Sequence, residues 1–532
     1  MSFRSNESQQ MSIFDSTYNL TEREKKALEN SWAKVFAEEI FPCIDEERFS
    51  VLYSEKGSRP NTPVNVIIGA LILKELYNLS DDQIVENLML DFRYQYALHT
   101  TSFEEQPLSD KSLSRFRGRC YDYETSHDVD LWHDCVTDLA AKSAKLMNID
   151  GHIRRMDSLM IESNIRKLSR MELIYKCIAK VIIYLNNNGM QDRIFPMDHY
   201  CEANDQNSFI YHCNSDGVED RMEILMRDID LILERCADLE DVTEYQLFLR
   251  CASEQTIVEN GKRRLKTHDD GIMKSSMMQN PSDPDATYRE KTGKKYRGYA
   301  ANVVESVGDK ASIVTDYQFD SNNTSDSAFF KEYIESLPES EEKITVITDG
   351  AYSGDGNVEL ASSKNVELVT TALSGKDVNP IMKGFKFNDE GTQIIQCPQG
   401  YAPKISSYNK QSESCTASFE KGTCDKCIYR QECKAKLCKR VNKVKASVKA
   451  QRRLEAQDRM KTEDFKNLAR LRNGVETIPS ILKNIYSVNK MFVRGKKKCK
   501  FFFGAKVAAL NFKKLFNYLK GLGNYAQNPI FC

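Results

Sequence analysis

The sequence predicts an α/β protein: a mixed sheet preceded by helices, interrupted by a large helical insertion and followed by a Cys-rich insert. Three observations carry this. Apolar residues recur at helical spacing through the first part of the chain, β-branched runs alternate with helical ones from residue 295, and an acidic body gives way to a basic C-terminal part. At 532 residues the chain is too long for one simple core. Its 41% hydrophobic and 29% charged residues are ordinary for a globular protein, and no apolar run reaches the length of a membrane span. The N-terminus lacks the apolar stretch of a secretory signal, so the 16 cysteines are expected as reduced thiols in the cytoplasm.

Taken in order, Thr21 to Ile40 is a short helical pattern, and Pro60-Asn-Thr-Pro63 starts a helix running from Val64 to Tyr77. Leu79-Ser-Asp-Asp-Gln83 reads as a turn and cap before Ile84 to Leu90, and Ser109 caps a helix carrying Arg115, Arg117 and Arg119. These helices fit a helix-turn-helix DNA reader and a plain bundle equally. A helix over Leu131 to Asn148 precedes a strand, His152 to Ile161, that contains Asp157. An acid inside a strand is costly unless it is paired or bound to metal. Residues 168–275 read as a mostly helical insertion. Lys295 to Glu305 and Ala311 to Phe319 form a hairpin around Val307-Gly-Asp309, Asp326 to Leu337 a helix, and Asn365 to Thr370 a strand. Lys343 to Asp349 is a buried strand with an acid at its carboxyl end, where α/β sheets place ligand sites.

The domain boundaries expected from this are 1–130 for the N-terminal helices, 131–392 for the core, 393–440 for the Cys-rich insert and 441–532 for the basic part. In the insert, Cys424-x2-Cys427 has zinc-ligand spacing, and Cys397 and Cys433 can complete four thiolates. A reduced insert without metal is the alternative. From Cys397 to the end there are 30 Lys+Arg against 9 Asp+Glu, while the rest of the chain holds 45 against 68. That polarity calls for a polyanion, nucleic acid first, or for mutual neutralisation within the fold. Lys439 to Arg472 reads as one long basic helix, Arg494 to Lys500 as a basic turn, and Phe501 to Leu510 as a packed closing helix.

One stretch concentrates the chemistry. Arg472, Glu476 and Lys483 are spaced so that on a continuous helix all three would lie within roughly 40° of one another. Gly474 and Pro479 oppose such a helix, a conflict that disappears if it starts near Glu476, with Arg472 then in the preceding loop. Asp157, Asp349 and Glu476 together are hard oxygen donors of the kind that hold two Mg²⁺ ions about 4 Å apart for phosphodiester chemistry.

These motifs, in this order, resemble the DDE transposases of bacterial insertion sequences, within the broader insertion-sequence-four-like group. The resemblance rests on Asp157-Ser158, on Thr348-Asp349-Gly350-Ala351-Tyr352, and on Arg-x3-Glu-x6-Lys at Arg472, Glu476 and Lys483, where Ala469 replaces the signature tyrosine. Asp283-Pro-Asp285, Gly298-Tyr299 and the Cys-Pro-x-Gly plus Cys-x2-Cys insert resemble the insertion-sequence eleven-eighty-two group. The resemblance implies an RNase H-like catalytic core and a DNA-binding N-terminal domain. It implies Asp157, Asp349 and Glu476 as ligands of two Mg²⁺ (or Mn²⁺) ions, and Arg472 and Lys483 on DNA phosphates. Arg115, Arg117, Lys496, Lys497 and Lys498 are further candidates for DNA contact, and Cys397, Cys424, Cys427 and Cys433 for structural Zn²⁺. The implied reaction is cleavage at the element's ends and 3′-OH strand transfer, by a homodimer on double-stranded terminal inverted repeats and target DNA, with no membrane partner. Two rivals are a metal-dependent nuclease that never joins DNA and an inactive, transposase-derived DNA-binding protein. Asp283, Asp285, Asp316, Asp320 and Asp326 read as turn or capping residues, and Glu162 and Asp355 as neighbours of the proposed ligands.

Overall fold

The computed structural model describes residues 1–6, 15–57, 59–211, 217–271, 275–291, 293–339, 341–371, 378–474 and 476–522. They divide into two compact units. The first comprises Met1–Glu332 and Glu476–Cys532, and the second Tyr333–Val475.

In the first unit the N-terminal helices are α1 (Glu22–Glu29), α2 (Val64–Leu76), α3 (Asp81–Leu90), α4 (Asp110–His127) and α5 (Leu131–Leu146). The caps read from sequence are present: Ser80 and Gln83 form a reciprocal capping box at α3, and Ser109 accepts from the Ser112 amide at α4. Every residue of α2 is buried, as expected of a helix apolar on all sides. It packs against a closing helix, Lys496–Leu519, whose stretch Phe501 to Asn517 is equally buried. Gly504 lets that helix approach closely, because a Cβ there would lie 2.1 Å from the Tyr317 hydroxyl. The N-terminal helices are therefore not a separate body. Their side chains share one core with the following strands and the closing helix, where the Trp132 indole donates to the Phe501 carbonyl at 3.0 Å.

Strand β1 (Ile153–Glu162) pairs antiparallel with the long strand β3 (Lys294–Val307). The other side of β3 carries β2 (Thr287–Lys291) toward its start and β4 (Ser312–Ser321) beyond. Gly298 lies opposite both Glu162 and Thr287, at φ +153°. A Cβ at this position would stand 2.3 Å from the Ile161 carbonyl oxygen, so glycine is required. Between β1 and β2, the helices Arg170–Asn187, Val218–Arg235 and Thr243–Gln255 form a hydrophobic cluster of their own, as expected of an insertion. The hairpin Thr256–Glu259/Lys262–Leu265 within the predicted insertion, and β2, were not foreseen.

A buried charge network sets the register of β1. Arg155 faces Glu305 across the ladder and donates to it at 2.6 Å, and Lys514 of the closing helix donates to the other carboxylate oxygen at 2.6 Å. Burial alone would raise the Glu305 pKa, but the two cations outweigh it and hold it down at about 2. This pairing leaves Asp157 opposite Val303.

The second unit contains the parallel strands β5 (Ile344–Thr348) and β6 (Val366–Thr370), joined by the helix Asp355–Ser363. It also contains an antiparallel sheet of β7 (Ile405–Asn409), β8 (Ser414–Glu420), β9 (Lys436–Leu437) and β10 (Val441–Ala446), in the order β7-β8-β10-β9. The long basic helix expected from Lys439 is therefore corrected. Val441–Ala446 alternates buried positions (Asn442, Val444, Ala446) with exposed lysines as a half-buried strand must, and two helices follow, Val448–Arg459 and Glu463–Asn473. Among the described residues no helix is long and apolar enough to cross a membrane.

Candidate active site

Asp157 is half-buried in the middle of β1, where its carboxylate accepts from the Ser158 amide at 2.9 Å. Glu476 is exposed at the N-cap of the helix Thr477–Asn484, without a side-chain capping bond. Pro479 falls in the first turn of that helix, which removes the conflict noted in the sequence. Its apolar face, Ile478 and Leu482, is buried in the same core as Leu159 and Ile161 of β1. Beyond it, Glu162 and residues 489–491 exchange backbone bonds: the Glu162 amide donates to Asn489 at 2.9 Å and the Met491 amide to Glu162 at 3.1 Å. The strand of Asp157 and the helix of Glu476 are thus anchored in one unit.

Lys483 is half-buried near Asp157. Burial lowers its pKa, Asp157 acts in the opposite sense, and Lys291 and Lys294 lower it further. The last two residues flank the turn between β2 and β3 and were missed; the signal was a basic run around Gly293. Arg472 is not in a loop, as expected once the helix starts at Glu476, but in the last turn of the helix Glu463–Asn473 in the second unit. The chain is helical through Asn473 and again from Thr477, so no continuous helix carries Arg472, Glu476 and Lys483.

Asp349 also belongs to the second unit. It follows β5 and caps the turn Gly350–Tyr352, accepting from the Ala351 amide at 2.8 Å. The donor chemistry of Asp157, Asp349 and Glu476 suits Mg²⁺, since all are carboxylate oxygens. Among the described residues no group of three or more His, Cys, Asp or Glu is placed to hold a metal ion.

The predicted basic contacts separate into two kinds. Arg115 and Lys498 are exposed. Arg117 is instead buried, paired with Asp81 and stacked over Phe502 at 5.3 Å, so its charge is engaged inside the helical array. Arg117 and Lys498 border one groove of about 920 Å³, together with Lys74, Glu75, Asp81 and Lys506. Lys496 and Lys497 lie in the first turn of the closing helix, which corrects the expected basic turn. Cations are unfavourable at a helix N-terminus, and partners compensate: Lys496 pairs with Asp320, Lys497 donates to Thr125 at 2.7 Å, and Lys500 pairs with Asp130 at 2.7 Å. Asp320 is therefore an ion-pair partner, and Asp316 accepts from His133 at 2.9 Å. Asp283, read as a turn residue, is wholly buried and accepts from Tyr299 at 2.5 Å and from Ser163, bracing the exit of β1.

In the second unit Cys397, Cys424, Cys427 and Cys433 line one cavity of about 20 Å³. They surround it without forming a ready-made metal cluster. The described cysteines are all free thiols.

Residues 396–516 match a family model described as "Transposase DDE domain", and residues 22–119 one described as "Transposase domain (DUF772)". The first match includes Arg472, Glu476, Lys483 and the four cysteines; Asp157 and Asp349 lie outside both. No curated protein and no solved structure matches the chain. Over these two stretches the chain is similar to transposases, and the matches support a nucleic-acid-processing enzyme of the DDE, insertion-sequence type.

Proposed function

We propose that this protein is a DNA transposase that cleaves the ends of its insertion sequence and joins the freed 3′-OH to target DNA. The observation that carries the reading is the DDE-domain match across Glu476 and Lys483, with Lys483 lying near Asp157. In this reading Asp157, Asp349 and Glu476 hold Mg²⁺ or Mn²⁺, which when bound activates water and stabilises the leaving oxygen of a phosphodiester. Lys483 places a positive charge near the Asp157 carboxylate, where a DNA phosphate would be held against it. Lys291 and Lys294 extend that cationic border, while Arg472, Arg115 and Lys498 contact the backbone of the DNA ends. Paired ends call for a homodimer on an RNase H-like core.

The test uses the full-length protein and a labelled duplex carrying the sequence that flanks its gene. Nicking at the element boundary in Mg²⁺ and appearance of a joined product are expected. Asp157→Asn and Glu476→Gln should each lower cleavage by at least roughly a hundredfold. Cutting without joining would make the protein a nuclease; binding without cutting would make it an inactive derivative.

A further inference from the structure

The second unit carries a side-chain cluster that the proposed reaction does not use. We propose that Cys397, Cys424, Cys427 and Cys433 form a structural zinc site. The inference is independent of the catalytic reading.

Four thiols from three separate turns line the same cavity. Cys397 opens a tight turn, in which the Gly400 amide donates to the Cys397 carbonyl at 2.8 Å and Gly400 takes φ +93°. Cys424 and Cys427 flank a second turn, closed by the Cys427 amide on the Cys424 carbonyl at 3.3 Å. Cys433 lies on a third, where its amide donates to Tyr429 at 2.8 Å.

Each turn is also tied down by a side-chain amide. Gln396 donates to the Gly400 carbonyl at 2.8 Å. The buried Asn442 donates to Lys421 at 2.6 Å and to Asp425 at 3.0 Å. Asn379 donates to the Glu432 carbonyl at 3.0 Å. The backbone that presents the thiols is thus held in place.

The donor set and the space select the metal. Four thiolates are soft ligands, which suit zinc or an iron–sulfur cluster and not Mg²⁺. A cavity of about 20 Å³ has room for one sphere the size of a water molecule. A single ion fits a space of that size. Four thiolates on Zn²⁺ leave a net charge of −2, and Arg430 lines the same cavity to offset it. The nine-residue hydrophobic cluster around it includes Cys424 and Cys433, so the site lies within the core of the insert.

The selection among the cysteines makes the proposal specific. Cys415 and Cys438 are in the same insert but do not line the cavity; their thiols face the Gly391 and Lys436 carbonyls at 3.5 and 3.8 Å.

The experiment is elemental analysis of full-length protein purified under reducing conditions from zinc-replete cells. About one zinc per chain is expected. Cys427→Ser should lose it, whereas Cys438→Ser should retain it. Because Cys427→Ser can impair folding, Co²⁺ is also exchanged into the unaltered protein, where a thiolate-to-cobalt charge-transfer absorption is expected. Zinc-free protein that is folded and gives no such absorption would overturn the proposal. So would iron in place of zinc, a disulfide between two of the four cysteines in the reduced preparation, or loss of metal in Cys438→Ser alone. None of these outcomes depends on DNA cleavage, so failure of the transposase reading would leave the result intact.

Discussion

The two units solve the same problem of stability by different means. In the first, helices buried on all sides and a sheet share one large core, and the charges caught inside it are paired: Lys506 with Glu75 at 2.5 Å, Arg155 and Lys514 with Glu305. In the Cys-rich part of the second, a sheet of four short strands and its loops enclose nine buried residues, three of them cysteines. A large core can accommodate buried ions because surrounding elements supply partners. A small one has few apolar contacts to lose and depends more on cross-links. The same chain therefore contains a region limited by electrostatic pairing and a region limited by core size.

The sharpest way to break this comparison is Glu305→Gln. Removing one partner leaves Arg155 and Lys514 as uncompensated buried cations, and the first unit should lose about 3–5 kcal/mol in urea unfolding. If the second unit, followed by a fluorophore on Cys438, unfolds at the same urea concentration as before, the units are energetically separate. A common shift would mean that they unfold as one.

Gly298→Ala should follow, with a loss of about 1–3 kcal/mol from the backbone region alone and more from the clash with Ile161. Because that clash falls at the end of β1, cleavage should fall along with the midpoint.

The next effect depends on pH. Burial disfavours protonated His133, but Asp134 and Asp316 outweigh it and raise its pKa from 6.5 to about 9. Its contribution to the first unit is complete below pH 6.5 and fades as pH rises through about 9. His133→Gln should cost about 1–3 kcal/mol at pH 6 and much less at pH 10, measured by urea midpoints at both. An equal cost at both would mean that the side chain acts by packing alone.

The smallest effects compare caps. Ser80→Ala in the first unit and Thr462→Ala in the second each remove a hydrogen bond to an N3 amide, at 3.1 and 3.3 Å. Each should cost about 1 kcal/mol, visible only in the transition of its own unit.

What was legible in the sequence follows the same division. Caps and periodicity identified the helices from Val64 to Leu146 because local spacing determines both. β1, β3, β4, β5 and β6 were readable as apolar runs bounded by turn residues. Val441–Ala446 was not, since half of its residues are lysine or asparagine and the basic composition concealed a six-residue alternation. Arg117 and Lys496 were read as DNA contacts because their partners, Asp81 and Asp320, lie 36 and 176 residues away. Asp283 was read as a turn residue for the same reason: its partners Ser163 and Tyr299 are 120 and 16 residues distant. Of the candidate acids, the elements bearing Asp157 and Asp349 and the helix start at Glu476 were legible, whereas the placement of Arg472 in another unit from Glu476 was not.

The first unit is written in two pieces of chain, with the second unit between them. On the ribosome, α5 emerges long before the closing helix that it packs against, since Trp132 must wait for Phe501 across 369 residues. At about 5–20 residues per second, the interval over which Tyr333–Val475 is made lasts on the order of ten seconds. During that time the half-built core exposes apolar surface and lacks Glu476. A nascent chain can therefore bear Asp157 and Asp349 without the third carboxylate. Completion of synthesis, rather than any later switch, decides when all three acids are present together.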